Sequence, residues 1–163
     1  KAIRRQRQMC IRDRTIANRG HFITPHVVKE IQDNELDSIY RTPRVTSIDR
    51  EYYDEVVEGM RAAVTGSTGS ATCRMVGTIL PGVEACGKTG TAQNRGKDHS
   101  VFMGFAPMND PKIAIAVYVE NGGFGATYGV PIGAMMMDQY LHGKLSPENE
   151  IRAEEFSLSL IHI

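Results

Sequence analysis

Tryptophan is absent from these 163 residues, cysteine occurs three times, and aromatic side chains make up only 7% of the chain. No apolar run exceeds the seven residues Ile113 to Val119, against about 20 for a bilayer-spanning helix, so no membrane segment can be read here. Cys10, Cys73 and Cys86 lack paired spacing, which excludes a zinc ribbon and a disulfide framework. A lone Cys73–Cys86 bridge stays open beside the expected pair of buried free thiols. Repeats and low-complexity tracts are missing as well. What is present, 41% hydrophobic and 23% charged residues, is ordinary for one globular domain and excludes collagen-like, mucin-like and disordered classes.

The charges balance at 19 basic and 19 acidic, but not evenly along the chain. Residues 1–14 hold six basic residues and one acid, leaving 13 basic and 18 acidic residues in the other 149. A body of net −5 carries no electrostatic footprint for nucleic acid. The first 14 residues (KAIRRQRQMCIRDR) show neither helical nor strand periodicity, and the last eight (FSLSLIHI) are an apolar tail behind an acidic stretch. Both resemble translated sequencing-adapter sequence and are expected to be non-native. The expected divisions are thus 1–14 non-native, 15–145 folded domain, 146–155 acidic tail and 156–163 non-native.

Along the body, Ala17-Asn18-Arg19-Gly20 reads as a helix end and His21 to Ile31 as extended edge strand, its Pro25 removing a ladder donor. Asp33 to Thr46 is turn-rich. Tyr53, Val56, Val57, Met60 and Val64 form one apolar stripe at helical period, capped by Ser47 or Asp49 and ended by Gly66. Gly66 to Ala71 reads as a flexible loop, and Ala71 to Ile79 as the start of a short helix. Three strands follow, Val83 to Gln93, Val101 to Met108 and Lys112 to Glu120, the last two joined by Asn109-Asp110-Pro111. Asn121 to Gly125 is a glycine-rich turn without dinucleotide-loop spacing. Pro131 opens a final helix, Ile132 to Leu141, closed by Gly143. Consecutive strands between helices predict an α+β fold: an antiparallel sheet flanked by helices.

Two frames compete for one lysine. Gly82 to Thr89 (GVEACGKT) satisfies every fixed position of the phosphate-loop pattern, which demands a helix beginning at Thr89. The residues after Thr89 include two glycines and no apolar stripe, a poor helix start. In the second frame Lys88-Thr89-Gly90-Thr91 is a K-T-G-T strand, a string associated with penicillin-binding proteins and class A β-lactamases. Alternation sets Thr89 and Thr91 on one face, where two hydroxyls can bind a carboxylate, and Lys88 and Gly90 on the other. The Lys88 ammonium supplies a positive field, Gly90 lets a substrate backbone approach, and the Thr91 amide can donate to an oxyanion. A lysine that merely protects a sheet edge would not call for the hydroxyls and glycine beside it.

From about Ile16 to Leu141 the sequence resembles the C-terminal part of the transpeptidase domain of class B penicillin-binding proteins, closest to the elongation type. The likeness rests on Ala17-Asn18-Arg19-Gly20, Thr24-Pro25-His26-Val27-Val28, Glu58-Gly59-Met60-Arg61 with Thr68-Gly69-Ser70-Ala71, and the strand Gly87 to Gln93. Asp98 to Pro107 and Val119-Glu120-Asn121-Gly122-Gly123 complete it, all in family order. The resemblance implies a partial penicillin-binding protein/β-lactamase-like fold. It also implies a periplasmic enzyme anchored in the inner membrane, which crosslinks peptidoglycan stem peptides ending in D-Ala-D-Ala and is acylated by β-lactam antibiotics. No cofactor is implied. A SEDS-type glycosyltransferase and other elongation-complex proteins are the implied partners. Lys88 and Thr91 would be catalytic, with Thr89, Gly90 and Thr91 binding substrate. The family's S-x-x-K and S-x-N motifs do not occur in these residues, so the nucleophile is expected upstream and the chain alone inert. Competing readings are a serine β-lactamase or β-lactam sensor, a non-catalytic wall-binding module and, remotely, a phosphate-loop protein.

Elsewhere the plain reading is preferred. His99 is expected in a structural hydrogen bond, and His21, His26 and His142 lack ligand spacing. Met135, Met136 and Met137 are expected to pack in the core, and Asp54, Glu55 and Glu58 to be solvated.

Overall fold

Phe102 sits at the centre of a strand in which every second side chain faces the same way, and the molecule is arranged around that alternation. The computed structural model describes residues 2–66 and 72–160. Helix α1 (Ala2–Ala17) leads to a two-residue strand β1 (His21–Phe22), which pairs antiparallel with β2 (Arg44–Val45). Helices α2 (Arg50–Thr65) and α3 (Arg74–Ile79) precede three strands, β3 (Cys86–Ala92), β4 (His99–Ala106) and β5 (Ile113–Val119). These pair antiparallel in the order β3-β4-β5, so β3 and β5 are the sheet edges. Helices α4 (Gly129–His142) and α5 (Pro147–Leu160) close the chain. The expected α+β layout is the one found.

On one face of the sheet, Phe102, Ala106 and Val117 pack against Val76, Ile79 and Leu80 from α3 and its end, and against Val130, Ala134 and Met137 of α4. On the other, Cys86 and Phe105 meet Ala17, Val57 and Met60 from α1 and α2. Full burial of a Phe contributes on the order of 2–3 kcal/mol. Gly87 of β3 and Gly104 of β4 are set by Phe102 and its neighbours: a Cβ at Gly87 would lie 2.8 Å from the ring, and one at Gly104 2.6 Å from the Cys86 carbonyl.

The α2 stripe is shifted from expectation. Tyr53, Val57, Met60 and Val64 are buried with Ala63, while Val56 is exposed. Asp49 holds the cap position without a side-chain bond, and the Gly66 amide closes the helix on the Ala62 carbonyl. The loop expected over Gly66 to Ala71 lies, after Gly66, outside the described residues. The extended segment expected over His21 to Ile31 shrinks to the two residues of β1. Among the three methionines of α4, Met137 and Met135 are buried, but Met136 stands half exposed. The left-handed Gly143 ends the helix as expected.

Two regions differ from the sequence reading. Residues 2–14 belong to α1, whose Met9, Asp13, Ile16 and Ala17 turn toward the sheet, and the interruption of that stripe by Asp13 hid its period. Residues 147–160 form α5 in place of an acidic tail. Its anchor is Asn149, which is buried and donates to the Ile79 carbonyl at 2.9 Å and the Asp138 carboxylate at 2.7 Å. Burial alone would raise the Asp138 pKa. Hydrogen bonds from Asn149, His142 and the Ser146 amide outweigh it and hold the carboxyl below its usual range.

Cys73 and Cys86 are free thiols. They belong to the two opposite cores, Cys73 on the Gly87 side of β3 and Cys86 on the other, and burial pushes the Cys86 thiol up to about 12.

Candidate active site

β3 carries Lys88-Thr89-Gly90-Thr91 along the sheet edge, and it pairs only with β4 among the described residues. The pleat turns Lys88 and Gly90 toward the α1 face and Thr89 and Thr91 toward the α4 face. All four residues line one cavity of about 410 Å³, whose opposite wall is Met9 and Arg12 of α1. The candidate residues read from the sequence thus share one strand, Lys88 and Gly90 facing the cavity and α1 while Thr89 and Thr91 turn to the opposite face.

Lys88 is exposed, its Nζ donates to the Thr89 carbonyl at 2.9 Å, and none of the ion pairs among the described residues involves it. Its charge is therefore available to a ligand. The Thr89 hydroxyl donates to the Thr72 hydroxyl at 3.0 Å. Thr72, just before α3, was not singled out in the sequence; the small polar residues around it were its only signal. Gly90 has a different reason for being glycine than Gly87 or Gly104. A Cβ there would meet nothing closer than Val101 Cβ at 3.4 Å, an ordinary contact, so the chain's own packing does not demand it.

One turn along α1 from Met9, Asp13 is fully buried, and neither of its oxygens receives a well-formed hydrogen bond, the Ile115 and Gly104 amides lying only nearby. Burial pushes its carboxyl up to about 7, the Ile115 and Gly104 amides and the Arg14 charge offsetting only part. His99, at the far end of β4, accepts the Asn121 amide at 2.9 Å and rests on the Tyr118 ring, a structural role. Asp54 and Glu58 pair with Arg19 and Arg61 at the surface. No group of three or more metal-ligating side chains converges among the described residues. The phosphate-loop reading of Gly82 to Thr89 is overturned, because the chain runs from Cys86 to Ala92 as strand, leaving no helix N-terminus to cradle a phosphate.

A K-T-G-T strand on a free sheet edge, with helices on both faces, defines the class of penicillin-recognising serine acyl-transfer folds. The model of the penicillin binding protein transpeptidase domain matches residues 8–140. The chain belongs to this family. It is 32% identical over 141 residues to the peptidoglycan D,D-transpeptidase PbpA of Mycobacterium tuberculosis, covering 80% of this chain and 28% of that protein. Among solved structures it superposes on Pseudomonas aeruginosa PBP2 in complex with WCK 5153 with a TM-score of 0.68 and 40% identity, over 82% of this chain and 29% of the other. The ceftriaxone acyl-enzyme of M. tuberculosis penicillin-binding protein A is 27% identical with TM-score 0.59, over 74% of this chain and 28% of that one. The Helicobacter pylori complex of PBP2 with MreC gives 25% and 0.59, over 79% and 23%. The chain therefore spans only about a fifth to just under a third of the relatives it matches.

Proposed function

We propose that this chain is the part of a peptidoglycan D,D-transpeptidase that carries the third-motif strand, the serine nucleophile lying in sequence upstream of it. The observation that carries the reading is the strand Lys88 to Thr91, a sheet edge among the described residues, within a chain that the family model matches over residues 8–140. In the proposed reaction the serine hydroxyl adds to the penultimate D-Ala carbonyl and the terminal D-Ala leaves as amine. The acyl group then passes to an amine of a second stem peptide, which regenerates the serine.

Within this sequence, Lys88 polarises a neighbouring proton carrier, Thr89 and Thr91 bind the substrate's terminal carboxylate, and the Thr91 amide donates to the oxyanion. Gly90 leaves room for the substrate backbone. β-Lactams would acylate the same serine, a reading supported by the acyl-enzyme relative. MreC-like elongation proteins and a SEDS-type glycosyltransferase are the proposed partners, the first supported by the H. pylori complex. The proposed site of action is the periplasmic face of the inner membrane, although no helix among the described residues is long and apolar enough to cross it. Residues 15–145 are the proposed native domain portion and 146–155 its native extension. Residues 1–14 and 156–163 are proposed to be non-native on their sequence, the family model's match nevertheless beginning at residue 8.

The test is fluorescent-penicillin labelling of the full-length parent. Lys88→Ala should slow acylation at least roughly 100-fold if Lys88 stabilises transition-state charge. An unchanged rate removes Lys88 from the mechanism.

A further inference from the structure

Ser100 lies in β4 directly across from Thr91 and is fully buried. Its hydroxyl donates to the Phe124 carbonyl at 2.8 Å and accepts the Gly129 amide at 3.0 Å. Gly129 opens α4, and Tyr128 at the cap position offers no side-chain bond. The sheet therefore supplies the acceptor that a helix N-terminus otherwise takes from its own cap residue. The segment between these two bonds is pressed onto β3 and β4. A Cβ on Gly125 would stand 2.4 Å from the Val101 carbonyl, 2.7 Å from the Gly90 carbonyl and 3.0 Å from Thr89 Cβ.

We infer that Ser100 is a positioning residue for the Thr89 and Thr91 hydroxyls. Together with Gly125 it fixes the backing against which that stretch of β3 rests, while Thr72 holds the Thr89 hydroxyl from the side. Without the Ser100 hydroxyl both bonds are lost, the Phe124 to Tyr128 segment lifts, and the two hydroxyls lose their common geometry. The inference rests on the proposed role of those hydroxyls as carboxylate ligands.

The experiment uses the full-length parent and compares acylation by a penicillin with acylation by its methyl ester, which keeps the strained ring and removes the carboxylate charge. The wild type should prefer the acid strongly. In Ser100→Ala and in Gly125→Ala, acid acylation should fall roughly 10- to 100-fold while the ester rate stays within about twofold, collapsing the preference. Equal loss on acid and ester marks a merely structural residue and overturns the inference, as does an unchanged preference in folded Ser100→Ala. A wild type without any acid preference overturns instead the carboxylate role of Thr89 and Thr91. Circular dichroism checks folding, and if Ser100→Ala does not fold, Ser100→Cys, close in volume and a weak hydrogen-bond former, is read by the same criteria.

Discussion

On the α4 side of the sheet Ser100, Asp138 and Asn149 are buried or nearly so and each is hydrogen-bonded, whereas on the α1 side Asp13 is buried as deeply and no well-formed hydrogen bond reaches either of its oxygens. The first side is also shaped at the level of single atoms. Gly129 and Gly133 bring α4 so close to Phe102 that a Cβ at either would lie 3.0 Å or 2.5 Å from it. The second holds a cavity rimmed by Arg12 and Lys88. Burial of a polar group costs little when its bonds are remade inside the protein and a few kcal/mol when they are not. The contrast teaches that depth of burial alone does not measure fit; the bonding of the buried polar atoms does.

The comparison breaks most completely at its tightest point. Phe102→Ala should lower stability in urea unfolding by about 3–5 kcal/mol, because close-packed backbone leaves the cavity no way to collapse. A cost below about 1 kcal/mol would show that the α4 side is not tightly fitted.

Next in size is a gain. The folded chain keeps the Asp13 proton up to about pH 7 while the unfolded chain loses it near 4, so stability falls as pH rises between those values and is level above. Asp13→Leu should therefore stabilise by up to about 4 kcal/mol at pH 8, and progressively less toward pH 4. A pH-independent gain would rule out ionisation as the cause.

Asn149→Ala should make the α4 side resemble the α1 side. It removes the donor to Ile79 and Asp138, for about 2 kcal/mol, and should release α5 to faster amide exchange than α4. The smallest effect separates neighbours: Met136→Gln, on the exposed side of α4, should stay within about 0.5 kcal/mol of wild type, while Met137→Ala should cost about 2–4.

What the sequence disclosed follows the same division. Helix α2, the three strands and the ends of α4 were legible because each obeys a simple rule: an apolar stripe at 3.6, consecutive short apolar runs, Pro131 inside a helix start and Gly143 past its end. The end of helix α1 at Ala17 was legible from Gly20, but its body was missed because a charge occupies its inward stripe, and α5 was missed because its anchor is an amide, which hydrophobic periodicity cannot register. The K-T-G-T string pointed to four candidate residues through its likeness to a known family motif, and the structure sets them on one strand. Thr72 and Ser100 were invisible there, since a lone hydroxyl has no spacing signal and its meaning comes only from the strand or helix it touches in three dimensions.

Gly90 is where the demands of folding and of recognition come apart. Because the chain tolerates a methyl at that point, selection for a folded product would let alanine drift in, while selection on the reaction would keep glycine. The position is in that sense a reporter. In a library screened first for soluble expression and then for penicillin labelling, the residue choice at 90 should change between the two screens, while the choices at 87 and 104 should not.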